Sequence, residues 1–229
     1  LHKDLNVIEK AKDMTREWLS EMGLKLKESK TKIVHTLTAH DGTPGFDFLG
    51  FHIRQYSVGK TKVSPHARLH GKFFKTLIRP SKNSISKCKK SLSTVFRKKK
   101  AVTQKELIEA LNPIIRGWSN YFRTVVSKRV FYGVDNWLWY KLTQWENHRH
   151  PNKSCRCKKR KYWPASNLFS DGIKKLVWHG DTPIRRHTKI KDARSPYDGD
   201  WIYWSTRMRT NPIIPGWMAA LLSHQHGKC

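Results

Sequence analysis

All of the excess positive charge in this 229-residue chain lies in residues 49–229. Residues 1–48 carry eight Lys/Arg and eight Asp/Glu, whereas residues 49–229 carry 38 against nine, the whole of the formal net charge of +29. Between Asp47 and Glu106 there is no carboxylate, while Lys and Arg occur sixteen times. A compact domain holding such a run repels itself, so any fold must turn these side chains outward and meet a counter-charge. Solubility alone asks for a net charge of only about 2–8 in a small domain. The polyanion that fits is nucleic acid, because each phosphate contact releases counterions.

The rest of the composition excludes a disordered basic tail. Hydrophobic residues make up 38% of the chain, with 10 Trp, enough for two or three small modules with cores. The longest apolar run, Trp217–Leu222, is far short of a membrane span. No secretory signal is visible, and the chain begins with Leu1, which suggests a fragment or a processed product. Cys88, Cys155, Cys157 and Cys229 are too few and scattered for a disulfide framework. A reducing compartment follows, bacterial cytoplasm or an organelle. The expected class is α+β in three segments, 1–66, 67–150 and 151–229.

In the neutral head, Val7, Ile8, Ala11, Met14, Trp18, Leu19 and Met22 recur at helical spacing, with Asp4 or Asn6 as cap and Gly23 as stop. Glu9, Asp13, Glu17 and Glu21, balanced by Lys10, Lys12 and Arg16, read as a solvated face rather than a metal site. Leu24–Leu26 and Lys32–Val34 suit short strands, residues 41–45 a turn, and Phe46–Ile53 a strand with both faces covered.

In the basic middle, Ser81 or Ser84 caps a helix whose stripe is Ile85, Cys88, Leu92, Val95 and Phe96. Cys88 sits on that stripe and reads as a core thiol. Thr103-Gln104-Lys105-Glu106 is a capping box for a second helix, and Asn112-Pro113 punctuates it, opening a third. On that third helix Ile114, Ile115, Trp118, Tyr121, Phe122, Val125 and Val126 fall within about 120° of one face. Arg116, Asn120, Arg123 and Ser127 gather on the other, a set suited to phosphate, 2′-hydroxyl and base-edge contacts. A fourth helix follows, with Phe131, Val134, Trp137/Leu138, Tyr140/Lys141, Leu142 and Trp145, and ends near His148–Pro151.

Residues 152–229 alternate basic and aromatic groups, including Lys158–Lys161 before Tyr162-Trp163, then Trp178, Arg185-Arg186 and Trp201-Ile202-Tyr203-Trp204. Most of these rings are expected in a small core, the remainder being free to stack on bases. His148, His150, Cys155 and Cys157 lie within ten residues, but Cys-x-Cys is tight for structural zinc, and a basic linker is the preferred reading. No P-loop, Gly-x-Ser-x-Gly or dinucleotide fingerprint points to another enzyme class.

Several strings resemble the group II intron-encoded reverse transcriptase/maturases. Leu111-Asn112-Pro113-Ile114-Ile115-Arg116-Gly117-Trp118-Ser119-Asn120-Tyr121-Phe122 is similar to the signature of the maturase-specific (X, or thumb) domain, and Arg79-Pro80-Ser81-Lys82 to that domain's opening. Gly23–Leu26 with Ser29–Ile33 resembles the last palm segments, and Phe48-Leu49-Gly50-Phe51 the primer-grip hairpin. Asp181–His187 and Ser195–Trp201 resemble the DNA-binding region, and Gly227-Lys228-Cys229 the start of an HNH nuclease module.

The resemblance implies a palm remnant, a helical maturase domain and a basic DNA-binding tail. The chain would begin just after the catalytic Tyr-Ala-Asp-Asp loop and stop at the nuclease's first cysteine. Lys30 matches a family lysine near the incoming nucleotide, yet no carboxylates here are arranged to hold two metal ions for polymerisation. The implied function is binding of intron RNA to assist folding and splicing, with the RNA performing the transesterifications. The alternatives are a subunit completing a split reverse transcriptase, and a general basic nucleic-acid binder. The expected RNA-binding residues are Arg79, Lys82, Lys87, Lys89, Lys90, Arg97, Lys98, Lys99, Lys100, Arg116, Asn120 and Arg123. Lys158, Lys159, Arg160, Lys161, Arg185 and Arg186 are the candidates for target DNA. No cofactor is expected in the chain itself, and Mg2+ is expected for the intron RNA and the full-length polymerase.

Overall fold

The first helix, α1 (Leu5–Glu21), starts where Asp4 accepts a hydrogen bond from the Asn6 N–H at 3.0 Å. It stops at Gly23, whose φ of 72° lets Leu24 N–H reach back to Leu19 O at 2.9 Å. The computed structural model describes residues 2–39, 42–63, 65–71, 73–186, 190, 194–195, 197–199, 203–204 and 216–225. No residue of α1 is buried, and Met14 and Trp18 on its apolar stripe are 69% and 60% exposed. The strands expected at Leu24–Leu26 and Lys32–Val34 do not form. That stretch holds a single 3-10 turn, Glu28–Lys30, and is otherwise irregular. Leu24 is exposed, and Leu26, Ile33 and Val34 are only half-buried. Among the described residues, Thr36 O accepts from Gln55 N–H of the sheet, and His35 O from Gly45 N–H just ahead of it.

The sheet is antiparallel, in the order β1 (Phe46–Phe48), β2 (Phe51–Ser57), β3 (Phe74–Pro80). The residue pattern led to a single strand over Phe46–Ile53, but the chain forms a hairpin, at the Phe48–Phe51 position where the resemblance implied one. Leu49 and Gly50 both take positive φ, 47° and 82°, as a two-residue hairpin loop requires. Its tip is open to solvent rather than covered on both faces, with Leu49 69% exposed. Gly45 has no substitute: a Cβ there would lie 2.6 Å from Ile53 O. A short helix, α2 (Pro65–Leu69), joins β2 to β3.

A three-helix core follows: α3 (Lys82–Lys98), α4 (Gln104–Phe122) and α5 (Lys128–Arg149). Ser81 caps α3 by accepting from Ser84 N–H, and Thr103 with Glu106 forms the capping box of α4. Asn112-Pro113 does not divide α4, contrary to expectation. Leu107, Ile108, Leu111, Ile115 and Phe122 are all buried on one continuous face. At about 1.5–3 kcal/mol for each such side chain, their burial outweighs the roughly 3 kcal/mol cost of an interior proline. Pro113 itself faces solvent. The helix also ends earlier than expected, at Phe122. Residues 123–127 turn back so that Val126 N–H meets Ile78 O, and Ser127 is buried, not part of the polar face.

The next helix, α6 (Cys155–Tyr162), is capped by Ser154. Beyond it Phe169, Leu176 and Tyr162 join Leu92, Leu107, Leu111, Leu138 and Leu142 in one core cluster, with Trp163 and Trp178 against it. Tyr162 and Phe169 are therefore buried in the three-helix core rather than in a separate small one, while Trp163 and Trp178 are half-buried against it. Residues Leu1–Ile184 form one compact unit and Arg185–Cys229 a second. In the second, helix α7 (Gly216–His224) is described, Arg194 lies 4.5 Å from the Tyr203 ring centroid, and Trp204 donates to Asp198. Trp201 and the Gly227–Cys229 string lie outside the described residues. Among the described residues no helix is long and apolar enough to cross a membrane.

Candidate nucleic-acid interface

Helix α3 buries Cys88, Leu92 and Phe96. At about 100° per residue, Lys87, Lys90, Arg97 and Lys98 fall on the opposite side, and all four are exposed, as are Lys82 and Lys100. The ion pairs among the described residues are Arg16–Asp13, His52–Asp47, Lys174–Glu109 and His179–Asp135, so α3 has no carboxylate neutralising it. Arg97 and Lys98 also sit in the last turn, where cations offset the helix dipole. Lys89 and Lys99 are less free. The Lys89 ammonium lies 5.5 Å from the Trp137 ring centroid, and half-buried Lys99 caps α3, its carbonyl accepting from Trp145 Nε1. Arg97, Lys100 and Lys141 border an open hollow of about 240 Å3 between α3 and α5.

On α4, Arg116 and Asn120 are exposed and Arg123 is partly so, with Arg123 Nη1 3.4 Å from Asn120 Oδ1. Tyr121 does not belong to the core stripe. It is 51% exposed and instead clasps the hairpin: its hydroxyl donates to Leu49 O at 2.8 Å and its ring stacks on Phe51 at 5.1 Å. Ser81 N–H donates to Gly50 O at 2.8 Å from the other side. Leu49, Gly50 and Lys87 thereby line one hollow of about 420 Å3, while Phe48 at the tip faces solvent. On the sheet, the Arg54 and Arg79 guanidinium carbons lie 4.8 and 5.1 Å from the Tyr56 ring centroid.

The basic tail residues divide. Lys158 Nζ donates to Asn147 at 2.6 Å and Lys161 Nζ lies 3.4 Å from His150 Nε2, whereas Lys159, Arg160, Arg185 and Arg186 are exposed. His150 Nε2 also lies 2.7 Å from the Tyr162 hydroxyl. Desolvation, with Lys161, Arg149, Lys158 and Lys153 adding to it, holds its pKa below the usual histidine value. No three His, Cys, Asp or Glu among the described residues converge as a metal site, and Cys155 and Cys157 lie on α6 as free thiols.

One cluster had no sequence signal. Asp135 Oδ1 accepts from His179 N–H at 2.9 Å and lies 2.6 Å from His179 Nδ1, while Oδ2 accepts from Gly180 N–H at 2.7 Å. The far ring nitrogen, Nε2, is 4.0 Å from Cys88 Sγ. The order Cys–His–Asp imitates a nucleophilic triad, but burial, with Asp135 adding to it, pushes the Cys88 thiol up to about 12. A thiol held protonated is no nucleophile. The cluster is a structural tie, and only a 44-residue separation in sequence hides it.

The exposed cations thus stand on a helical frame that runs from α3 to the residues after α6. No curated protein matches the chain. Residues 85–163, from the first turns of α3 to Trp163, match the family model of the group II intron, maturase-specific domain.

Proposed function

We propose that this chain binds group II intron RNA and assists its folding and splicing, with the RNA itself carrying out the transesterifications. The observation that supports this most is α3. It lies almost wholly inside the matched residues 85–163 and presents Lys87, Lys90, Arg97 and Lys98 to solvent with no carboxylate partner among the described residues. In this reading the α3 lysines supply affinity through phosphates, and Arg116, Asn120 and Arg123 supply discrimination at base edges and 2′-hydroxyls. Phe48–Phe51 acts as the primer-grip-like hairpin at the end of a palm remnant. Lys159, Arg160, Arg185 and Arg186 are the cations available for target DNA. Magnesium belongs to the folded RNA. The test is a salt titration of binding to intron RNA. Log affinity falling linearly with log salt, with a slope of several phosphate contacts, is expected; affinity indifferent to salt contradicts the reading.

A second reading is favoured by α1, whose Met14 and Trp18 are exposed, as is Met22 just past its end. That stripe suits another polypeptide, one carrying the metal-binding carboxylates of a polymerase. Primer extension on an RNA template, absent with the pure chain and present with the partner added, supports it. Extension by the pure chain alone contradicts it.

A further inference from the structure

An open hollow of about 500 Å3 lies between the middle of α5 and the turn at His179–Asp181. Neither basic face uses it. Its walls include the rings of Tyr132, Trp139 and Trp178, and its polar groups include Asn136, Asn167 and Asp181.

These walls are held in place. A Cβ at Gly180 would lie 2.6 Å from the Tyr132 ring, so the ring rests on bare backbone while still 62% exposed. Trp178 Nε1 donates to Asn167 O at 2.8 Å, and Asn167 takes a left-handed φ of 60° to offer that carbonyl. Asp135 at the floor is spent on His179 and Gly180. Asp181 is not: among the described residues it accepts only a long contact, 3.4 Å, from Trp178 N–H. At the rim, Lys128 donates to Gly180 O with its ammonium 5.9 Å from the Tyr132 ring centroid, and Arg129 beside it is exposed.

Flat aromatic walls with amide and carboxylate groups exclude the simpler occupants. Two carboxylates in the hollow repel a phosphate, and the amides and Asp181 are wasted on a purely apolar guest. We propose that this hollow receives one unpaired nucleobase of a bound RNA. Its ring lies on the aromatic wall, its N–H edge faces Asp181 and Asn136, and its phosphates lie towards Lys128 and Arg129. Guanine suits it best, since its N1–H and N2–H2 present two adjacent donors to one carboxylate. This rests on the RNA-binding reading above and adds a base-reading site to it.

The test uses the full chain and two short sugar-phosphate strands, one wholly abasic and one carrying a single central guanine. Wild type is expected to bind the guanine strand about tenfold more tightly, the order expected for one stacked base. Trp139→Ala is expected to bind both strands alike, at the abasic level, and Asn136→Ala, which keeps the aromatic wall, to lose part of the preference, with circular dichroism as the folding control. Should Trp139→Ala fail to fold, exposed Asn136 decides. Equal binding of the two strands by wild type, or a preference undiminished in Asn136→Ala, overturns the base site. Failure to bind either strand overturns the RNA-binding reading instead.

Discussion

The carboxylate of Asp135, on α5, holds the backbone and ring of His179, 44 residues later, through contacts of 2.9 and 2.6 Å. Through this pair the segment behind α6 is fastened to the three-helix core, and the aromatic hollow beside it is given a floor. Asp135→Ala leaves the N–H groups of His179 and Gly180 buried and unpaired. Each such loss costs about 1–3 kcal/mol, so a destabilisation of about 3 kcal/mol or more is expected in urea unfolding. A change within about 0.5 kcal/mol would show that the tie is dispensable.

Glu146 gives the pH dependence a definite sign. It is 4% exposed, and its carboxylate accepts from Trp163 Nε1. Burial raises its pKa above the usual glutamate value, against the lowering effects of Trp163, Lys158 and Lys159. The folded state therefore binds the proton more tightly than the unfolded chain. Stability contributed by this group is full below the ordinary glutamate pKa and declines as pH rises towards the raised one. Glu146→Gln keeps an acceptor for Trp163 and is expected to flatten that decline. A decline of equal depth in the variant would place its origin elsewhere.

Cysteine reactivity separates core from surface. Cys88 is buried with its thiol pushed up to about 12, Cys155 is exposed and Cys157 is half-buried. Among these three, iodoacetamide at mildly alkaline pH is expected to modify Cys155 faster than Cys157, leaving Cys88 intact until denaturant is added. Peptide mass spectrometry reads this out, and early modification of Cys88 in folded protein would contradict its place in the core.

The features legible in the sequence were those set by local rules. Asp4, Ser81 and the Thr103/Glu106 box cap the helices expected of them, because a cap is decided within four residues. The stripe of Cys88, Leu92 and Phe96, and the lysines opposite, followed from the helical period. The features that were missed depended on distant partners. Asn112 looks like a cap, yet its side chain bonds Lys175 O at 3.0 Å and Val177 N–H at 2.9 Å, while the helix runs on. Tyr121 has the spacing of a core residue but is drawn outward by the hairpin. Leu49-Gly50 lacks the usual asparagine or aspartate of such a turn, so the residue pattern runs on as one strand, and it was the family resemblance of Phe48–Phe51 that marked a hairpin there. The aromatic hollow combines α5 with residues about 30 to 45 positions later, a separation no periodicity reports.

The central claim is that α3 supplies affinity while Arg116, Asn120 and Arg123 supply discrimination. It is tested most directly by competition binding, with cognate intron RNA and an unrelated structured RNA offered together. Replacing Lys87, Lys90 and Lys98 with Ala is expected to weaken both RNAs alike and to lower the salt slope by about one unit per lysine. The Arg116/Asn120/Arg123 triple alanine is expected to fold normally, since all three lie outside the core cluster. It is expected to lose affinity for the cognate intron by about tenfold or more, while binding the unrelated RNA nearly unchanged. Equal losses for both RNAs in the triple variant, or no preference in the wild type, would contradict the account and leave a general nucleic-acid binder in its place.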